Sequence, residues 1–154
     1  MEMSKEVKDR IVKYLNDTRF VVLATVNNDQ SPVLRSLGSF AADGYTIYFS
    51  TQKNSKKVEQ IQENPKIVLF FQHENQELSS FVNVSVHGTA EVIAEPAEIG
   101  RAIQQLSSRN PRFKERAEKG ELQDTAIYKV DARELKVLDF SKGIGAAAVE
   151  VIAV

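Results

Sequence analysis

The feature that most constrains the fold is the stretch Phe81–Ile93, in which apolar and polar residues alternate. Successive side chains of a β-strand point to opposite faces of a sheet. The pattern therefore predicts a strand with one face in a core and the other in contact with solvent. The apolar face comprises Val82, Val84, Val86, Ala90 and Val92, and the polar face comprises Asn83, Ser85, His87, Thr89 and Glu91.

Other segments also have strand character, because they are rich in β-branched and aromatic residues and are bounded by turn residues. Asp43-Gly44 is a strong signal for a two-residue hairpin. The first three predicted strands therefore form a meander. The predicted strands are Arg19–Val26, Val33–Ala42, Tyr45–Thr51, Lys66–Gln72, Phe81–Ile93, Ala126–Val130 and Leu135–Phe140, followed by a last strand at Ala148–Val154.

Four segments have helical character between these strands: Ser4–Asn16, Asn54–Asn64, Pro96–Ser108 and Pro111–Lys119. The second is expected to have about three turns and to end before a proline, which disfavours helical geometry in the preceding residue. Local strand connections with helices inserted between them favour an antiparallel barrel over parallel βαβ units. The predicted class is α+β, mainly β, with a closed sheet in a single domain over residues 1–154.

The charge balance argues against several kinds of partner. Twenty basic and 21 acidic residues give a net charge of −1, so no overall field attracts nucleic acid or a membrane surface. The chain has no cysteine, and His73 and His87 lack the spacing of a metal-binding pair. No metal site is therefore predicted. Met1–Arg10 is polar and is not followed by an apolar export segment, so a cytoplasmic location is expected.

The segment Ser50–Lys57 joins the third predicted strand to the N-terminus of the second predicted helix, and it carries Lys53, Lys56 and Lys57. A helix N-terminus carries partial positive charge, so each lysine there forgoes about 0.3–1 kcal/mol that an acidic residue would gain. Backbone N–H groups, the hydroxyls of Thr51 and Ser55, and these ammonium groups would together form a phosphate site. The alternative is that Ser55 or Asn54 simply caps the helix and the lysines form a solvated face.

Arg35 lies in a predicted strand whose other residues are mostly small or apolar. An arginine in such a strand needs a partner for its guanidinium group. A phosphate held by two parallel hydrogen bonds would be one such partner. A structural ion pair with a buried carboxylate is the alternative.

In this order along the chain, the residues resemble the pyridoxamine 5'-phosphate oxidase-like FMN-binding split barrels, especially their small general stress protein members. The resemblance runs from Phe20 to about Ile93. It includes Arg35, the segment Tyr48–Thr51, and the segment Ser55–Pro65. The most specific part is the helix that closes with Asn-Pro before an apolar strand.

The resemblance implies an antiparallel split β-barrel of about six to seven strands with flanking helices. It also implies FMN as the cofactor, a homodimer with FMN in the cleft between the subunits, and a small-molecule electron donor or acceptor. In the family, the phosphate and ribityl end of FMN is held by positions that match Arg35, Ser50, Thr51, Lys56 and Lys57. Ser55 is expected to bind the same end of the cofactor. The positions expected to pass under the isoalloxazine ring are Ser36, Leu37, Gly38 and Ser39, and Asn83 matches a glutamine that reaches the flavin.

The chain departs from the true oxidases at its C-terminal end. Those enzymes carry an Arg-x-His pattern that grips the substrate, whereas this chain reads Phe-Ser-Lys-Gly-Ile-Gly at residues 140–145. The expectation is therefore an FMN-dependent oxidoreductase with a different substrate. Two alternatives stay open: a non-catalytic flavin-binding stress-response protein, and a split barrel that binds haem or deazaflavin.

Overall fold

The computed structural model describes residues 4–154, and over that range eight strands form one antiparallel sheet with four α-helices around it. The prediction for Met1–Arg10 falls partly on residues 1–3, outside the described residues. The helices are α1 Lys5–Asp17, α2 Lys56–Glu63, α3 Pro96–Arg109 and α4 Pro111–Glu118. The strands are β1 Val21–Val26, β2 Pro32–Leu37, β3 Phe40–Asp43, β4 Thr46–Gln52, β5 Lys66–Gln72, β6 Val82–Val92, β7 Thr125–Asp139 and β8 Val149–Ala153.

The strand order explains how the sheet closes. The order is β2-β1-β5-β6-β7-β4-β3, with β8 paired to β7 beside this path. β2 and β3 lie at opposite ends of the order, yet only Gly38 and Ser39 separate them along the chain. The Ser50 N–H donates to the Ser39 carbonyl at 3.1 Å. The two ends of the sheet therefore meet, and the predicted split barrel is confirmed.

The predicted strand Val33–Ala42 is two strands, and the predicted three-stranded meander is wrong. The chain bends at Gly38-Ser39 and changes its pairing partner, because Leu37 pairs with Val21 of β1 whereas Phe40 pairs with Phe49 of β4. β2 and β4 are therefore not neighbours in the sheet. We call residues 38–40 the corner.

Two further predictions need correction. The separate strands at Ala126–Val130 and Leu135–Phe140 are one strand, β7, which runs past a bulge opposite His87 and Gly88. Gly88 is required there, because a Cβ atom would lie 2.2 Å from the Asp131 carbonyl oxygen. Val92, assigned to the core face of β6, is 55% exposed because it stands at the end of the strand.

The predicted N-cap of α1 and the predicted stop of α2 before Pro65 are confirmed, whereas the predicted length of α2 is wrong. The Ser4 side chain accepts a hydrogen bond from the Val7 N–H at the start of α1. α2 ends at Glu63, with Asn64 before Pro65, and its eight residues make about two turns rather than three. No helix in residues 4–154 is long and apolar enough to cross a membrane.

The buried side chains form two clusters on opposite faces of β4. Ile47 and Phe49 belong to the cluster inside the barrel, which α1 and α2 help to cover. Tyr48 belongs to a second cluster between the sheet and the helix pair α3 and α4, where Leu106 and Phe113 are buried. Both faces of β4 are therefore covered by buried side chains.

Candidate functional site

The guanidinium group of Arg35 lies between β1 and α2. Its Nη2 donates to Thr25 Oγ1 at 2.9 Å and to Gln60 Oε1 at 2.5 Å. Its Nη1 is buried and has no hydrogen-bond partner within residues 4–154. A buried donor without a partner is costly, and such groups are rare in folded proteins. Arg35 therefore presents an unused donor at this place.

Gln60, on α2, contacts the guanidinium group of Arg35 from the side of the helix. Its Oε1 also accepts from the Thr25 hydroxyl at 2.8 Å, and its Nε2 donates to Asn27 Oδ1 at 2.8 Å. The amide is thus oriented with its acceptor toward Arg35. Sequence reasoning missed Thr25 and Gln60, because an uncharged polar residue in a strand or helix gives no signal of a distant partner.

The ion-pair alternative for Arg35 is not what the structure shows. Within residues 4–154, no carboxylate oxygen lies within 4.0 Å of the charged nitrogens of Arg35 or Lys57. Burial lowers the pKa of Arg35. Burial also lowers the pKa of Lys57, and the neighbouring charge of Arg35 lowers it further. Two half-buried cations therefore lie close together without a protein anion, and an anionic ligand would relieve both penalties.

The start of α2 lies beside these cations. Ser55 occupies the N-cap position, but its side chain makes no capping hydrogen bond. The hydroxyl groups of Ser55 and Thr51 are 3.4 Å apart. The cap alternative for Ser55 is therefore not realised. Lys56 is exposed, and Lys57 is half-buried.

A groove of about 450 Å³ is lined by Thr51 and by residues of the corner. Gly38, Ser39 and Ser50 also line it, and the hydroxyl groups of Ser39 and Ser50 are hydrogen-bonded to each other. Phe20 and Phe113 supply apolar surface. The other lining residues are Gln52, Asn110, Arg112, Arg116 and Thr125. A lining of aromatic rings, hydroxyl groups and arginine side chains suits a flat ligand that carries one charged end.

Three predicted residues lie neither along this groove nor beside the start of α2. The Leu37 side chain is buried in the barrel core, and the Ser36 side chain is exposed on the opposite face of β2 from Arg35. Asn83 pairs with Gln72 of β5 and donates to its Oε1 at 3.4 Å. β1 and β5 separate it from the strand that carries Arg35. A single chain therefore brings together Arg35, Thr51, Ser55 and Lys57, with Gly38, Ser39 and Ser50 along the groove, but not Asn83.

The two histidines have other contacts. The ring of His73 stacks on Tyr14 with 3.6 Å between centroids, and its Nε2 lies 2.8 Å from the Tyr14 carbonyl oxygen. His87 Nε2 lies 3.2 Å from Ser85 Oγ. Within residues 4–154, no cluster of three or more histidine, cysteine, aspartate or glutamate side chains has a geometry that suits a metal ion.

The fold is a curled antiparallel split barrel in which Arg35 of β2 and Lys57 of α2 have no carboxylate partner within residues 4–154, and these two cations mark a candidate site for an anion. Residues 7–139 match the family model described as pyridoxamine 5'-phosphate oxidase. The chain therefore belongs to the pyridoxamine 5'-phosphate oxidase family. No curated protein shows significant sequence similarity to it.

Solved structures with the same fold are distant in sequence. General Stress Protein 26 from Bacillus anthracis has a TM-score of 0.67 and 19% identity, covering 97% of this chain and 99% of that one. The conserved hypothetical protein Rv2991 from Mycobacterium tuberculosis has a TM-score of 0.72 and 21% identity, covering 91% and 87%. A heme binding protein from Mycobacterium smegmatis has a TM-score of 0.75 and 12% identity, covering 99% of this chain but only 59% of that one. At these identities the similarity shows the fold alone.

Proposed function

We propose that this protein binds FMN and acts as an FMN-dependent oxidoreductase. The observation that carries the proposal is the pair of half-buried cations Arg35 and Lys57, neither of which forms an ion pair with a carboxylate of residues 4–154. In addition, Arg35 Nη1 is a buried donor without a hydrogen-bond partner in that range. The phosphate of FMN carries about −1.5 to −2 charges near neutral pH and offers several acceptor oxygens. It would therefore neutralise both cations and satisfy Arg35 Nη1.

The remainder of the ligand follows the groove. Thr51 lines the groove and also lies 3.4 Å from Ser55 at the start of α2, so it connects the phosphate place to the groove. The ribityl chain would pass Thr51 and Ser50, and the ring would lie against Gly38 and Ser39. Phe20 and Phe113 line the space that the ring would fill.

When bound, FMN supplies hydride or electron transfer, so the protein need not provide an acid–base pair. The residues of this chain bind the phosphate, orient the ring and cover one of its faces. Lacking the C-terminal Arg-x-His pattern, the protein is proposed to act on a small donor or acceptor other than pyridoxamine phosphate.

The proposed assembly is a homodimer with FMN between the subunits. An apolar groove of about 470 Å³ lies along β1, β5 and β6, with Ala24, Val26 and Val68 among its lining. Lys66, Arg133 and Glu134 line the same groove and supply charges of both signs for pairing with a second copy. Asn83 would then reach the flavin held mainly by the other subunit, since it lies apart from the groove in its own chain.

Val68→Glu tests the assembly, because it buries an unpaired charge if a second copy covers this face. Light scattering is expected to show a dimer for the wild type and a monomer for V68E, with FMN retention reduced in V68E. Val151→Glu is the control, because Val151 is 57% exposed on β8. A wild-type monomer that retains FMN would refute the dimer while leaving the phosphate site intact.

The absorption spectrum of the purified protein tests the cofactor. We expect the two visible bands of an oxidised flavin. Titration of the apoprotein with FMN should show weaker binding in Arg35→Met and Lys57→Met, each by about 1.5–3 kcal/mol for a lost charge-assisted hydrogen bond. Arg101→Met is the control, because Arg101 is exposed and paired with Asp43 at 2.6 Å. Equal affinity in all four proteins would overturn the site.

Haem is the second candidate ligand, because one structure with this fold is described as a heme binding protein. A Soret band in the purified protein, with no flavin bands, would favour it.

The non-catalytic alternative is tested separately, by turnover of the FMN-loaded protein with NADH or NADPH and a range of acceptors. Persistent inactivity would favour a binding role.

A further inference from the structure

Arg109, the last residue of α3, directs its guanidinium group into the protein rather than toward solvent. Its Nε donates to the Asn16 carbonyl at 3.0 Å, and its Nη2 donates to the Thr18 carbonyl. Both carbonyls belong to the end of α1 and the residue after it. Arg109 therefore ties the ends of α1 and α3 together.

The same side chain also holds the corner. Its Nη1 donates to the Phe40 carbonyl at 3.0 Å and to the Gly38 carbonyl at 3.4 Å. The carbon at the centre of the guanidinium group lies 3.7 Å from the centroid of the Phe40 ring. This distance is typical of a cation–π contact. The carbonyls on both sides of Ser39 are thus fixed by one residue.

The carbonyl of Ser39 itself is held from the opposite direction, because it accepts the Ser50 N–H at 3.1 Å. All three carbonyls of the corner therefore have a partner. At the corner the pairing partner of the chain changes from β1 to β4, so no continuous ladder of strand pairing fixes the backbone there. The hydrogen bonds from Arg109 and Ser50 fix it instead.

We propose that Arg109 is a positioning residue for the flavin ring: by holding the Gly38 and Phe40 carbonyls, it sets the backbone against which the ring lies. This inference rests on the proposed function, since it needs a ring in the groove along the corner. Arg109 does not contact the ligand in this role, because its donors are engaged by backbone carbonyls. Small displacements of a positioning group can cost large factors in binding or rate.

Arg109→Lys tests the proposal, because a lysine keeps the charge but cannot span four carbonyls with a planar fork. Two ligands separate ring from phosphate: FMN, and ribitol 5-phosphate, which lacks the ring. R109K is expected to weaken FMN binding by about tenfold or more and to leave ribitol 5-phosphate binding unchanged. Arg35→Met is expected to weaken both ligands. The absorption bands of bound FMN should also shift in R109K, because the surface under the ring changes.

Two controls separate positioning from general damage to α3. Arg101→Lys changes an exposed arginine on the same helix, and Ala102→Gly destabilises that helix at a buried residue about two turns before Arg109. Both should bind FMN like the wild type. Hydrogen exchange at the Ser50 amide gives a readout that needs no ligand, and it should be faster in R109K than in either control.

The outcomes are distinguishable. A wild type that does not bind FMN overturns both the proposed function and this inference. A wild type that binds FMN, with R109K weakening both ligands equally or neither, overturns the positioning role alone. Equal losses of FMN affinity in R109K and A102G would also overturn it, since helix stability would then explain the effect.

Discussion

Arg35 and Arg109 are both half-buried arginines near the same bend of the chain, yet their surroundings differ. Arg109 donates to four backbone carbonyls and stacks on Phe40. Arg35 uses one nitrogen for Thr25 and Gln60, while its other terminal nitrogen is buried without a partner within residues 4–154. The same side chain thus stabilises the fold at one place and is held ready for an anion at the other.

The difference arises from the supply of acceptors. The end of α1 and the corner offer carbonyls that no ladder or helix uses, and Arg109 satisfies them. Around Arg35, the acceptors that the guanidinium group reaches are the uncharged Thr25 and Gln60, and the neighbouring Lys57 is itself a cation. A cation placed there lacks both a hydrogen-bond acceptor for one donor and a counter-charge, which is typical of a binding site rather than of a structural contact.

The largest expected effect is on stability without ligand. Arg109→Met should lower the free energy of unfolding by about 3 kcal/mol or more, because several charge-assisted hydrogen bonds are lost and their carbonyls stay buried. Arg35→Met should change it by less than about 1 kcal/mol, since Gln60 still accepts from Thr25 and an unpaired buried donor is removed. Urea unfolding of the FMN-free proteins measures both. Similar losses in the two variants would break the comparison.

The next effect is stabilisation by ligand. FMN at 100 times its dissociation constant should raise the free energy of unfolding of the wild type by about 2.7 kcal/mol. At the same FMN concentration most of this gain should disappear in Arg35→Met, because the phosphate loses a donor. Arg101→Met should keep the full gain. Thermal unfolding with and without FMN provides the measurement, and an undiminished gain in Arg35→Met would contradict the assignment of Arg35.

The pH dependence of FMN binding sharpens the role of Lys57. Burial and the charge of Arg35 lower its pKa, so Lys57 loses its proton at a lower pH than an ordinary lysine. A bound phosphate favours the protonated form, so FMN affinity should fall as the pH rises through this lowered pKa. Without ligand, the unfolded chain holds more protons between the lowered and the ordinary pKa, so stability should rise with pH in that window.

Calorimetric titration with FMN across this alkaline range checks the prediction. Lys57→Met should bind FMN more weakly and should lose the alkaline decline that Lys57 causes. An alkaline decline of the same size in Lys57→Met would show that another group is responsible.

The smallest effect is expected at Lys56, which is exposed. Lys56→Ala should weaken FMN binding by about 0.2–1 kcal/mol, as for other exposed charge pairs. The difference from the wild type should shrink as salt increases, because salt screens exposed charges more than buried ones. Affinities at two salt concentrations measure this. A loss as large as that of Lys57→Met would mean that Lys56 takes part in the buried site.

Much of the fold could be predicted from local patterns. The predicted bounds of β5 agree with the structure, and the dipeptide Asn64-Pro65 correctly predicts where α2 ends. For the site, Arg35 was singled out because it breaks an apolar strand, and Lys57 because it stands at a helix start. The structure places these two close enough for one charge to lower the pKa of the other.

The misses lie where a residue's role depends on distant partners. Val33–Ala42 has continuous strand character. It breaks at Gly38-Ser39 because its first half pairs with β1 and its second half pairs with β4. Arg109 resembles any arginine at the end of an amphipathic helix. Gln60 resembles any polar residue on a helix surface.

The sequence by itself determined which segments are strands and helices, because periodicity, turns and caps are local and act within a few residues. Only the tertiary structure decided that β2 and β3 close the barrel, and that Arg109 finds carbonyls while Arg35 Nη1 does not. A guanidinium group has the same donors everywhere in the chain. Whether those donors are satisfied depends on which carbonyls the rest of the fold leaves free.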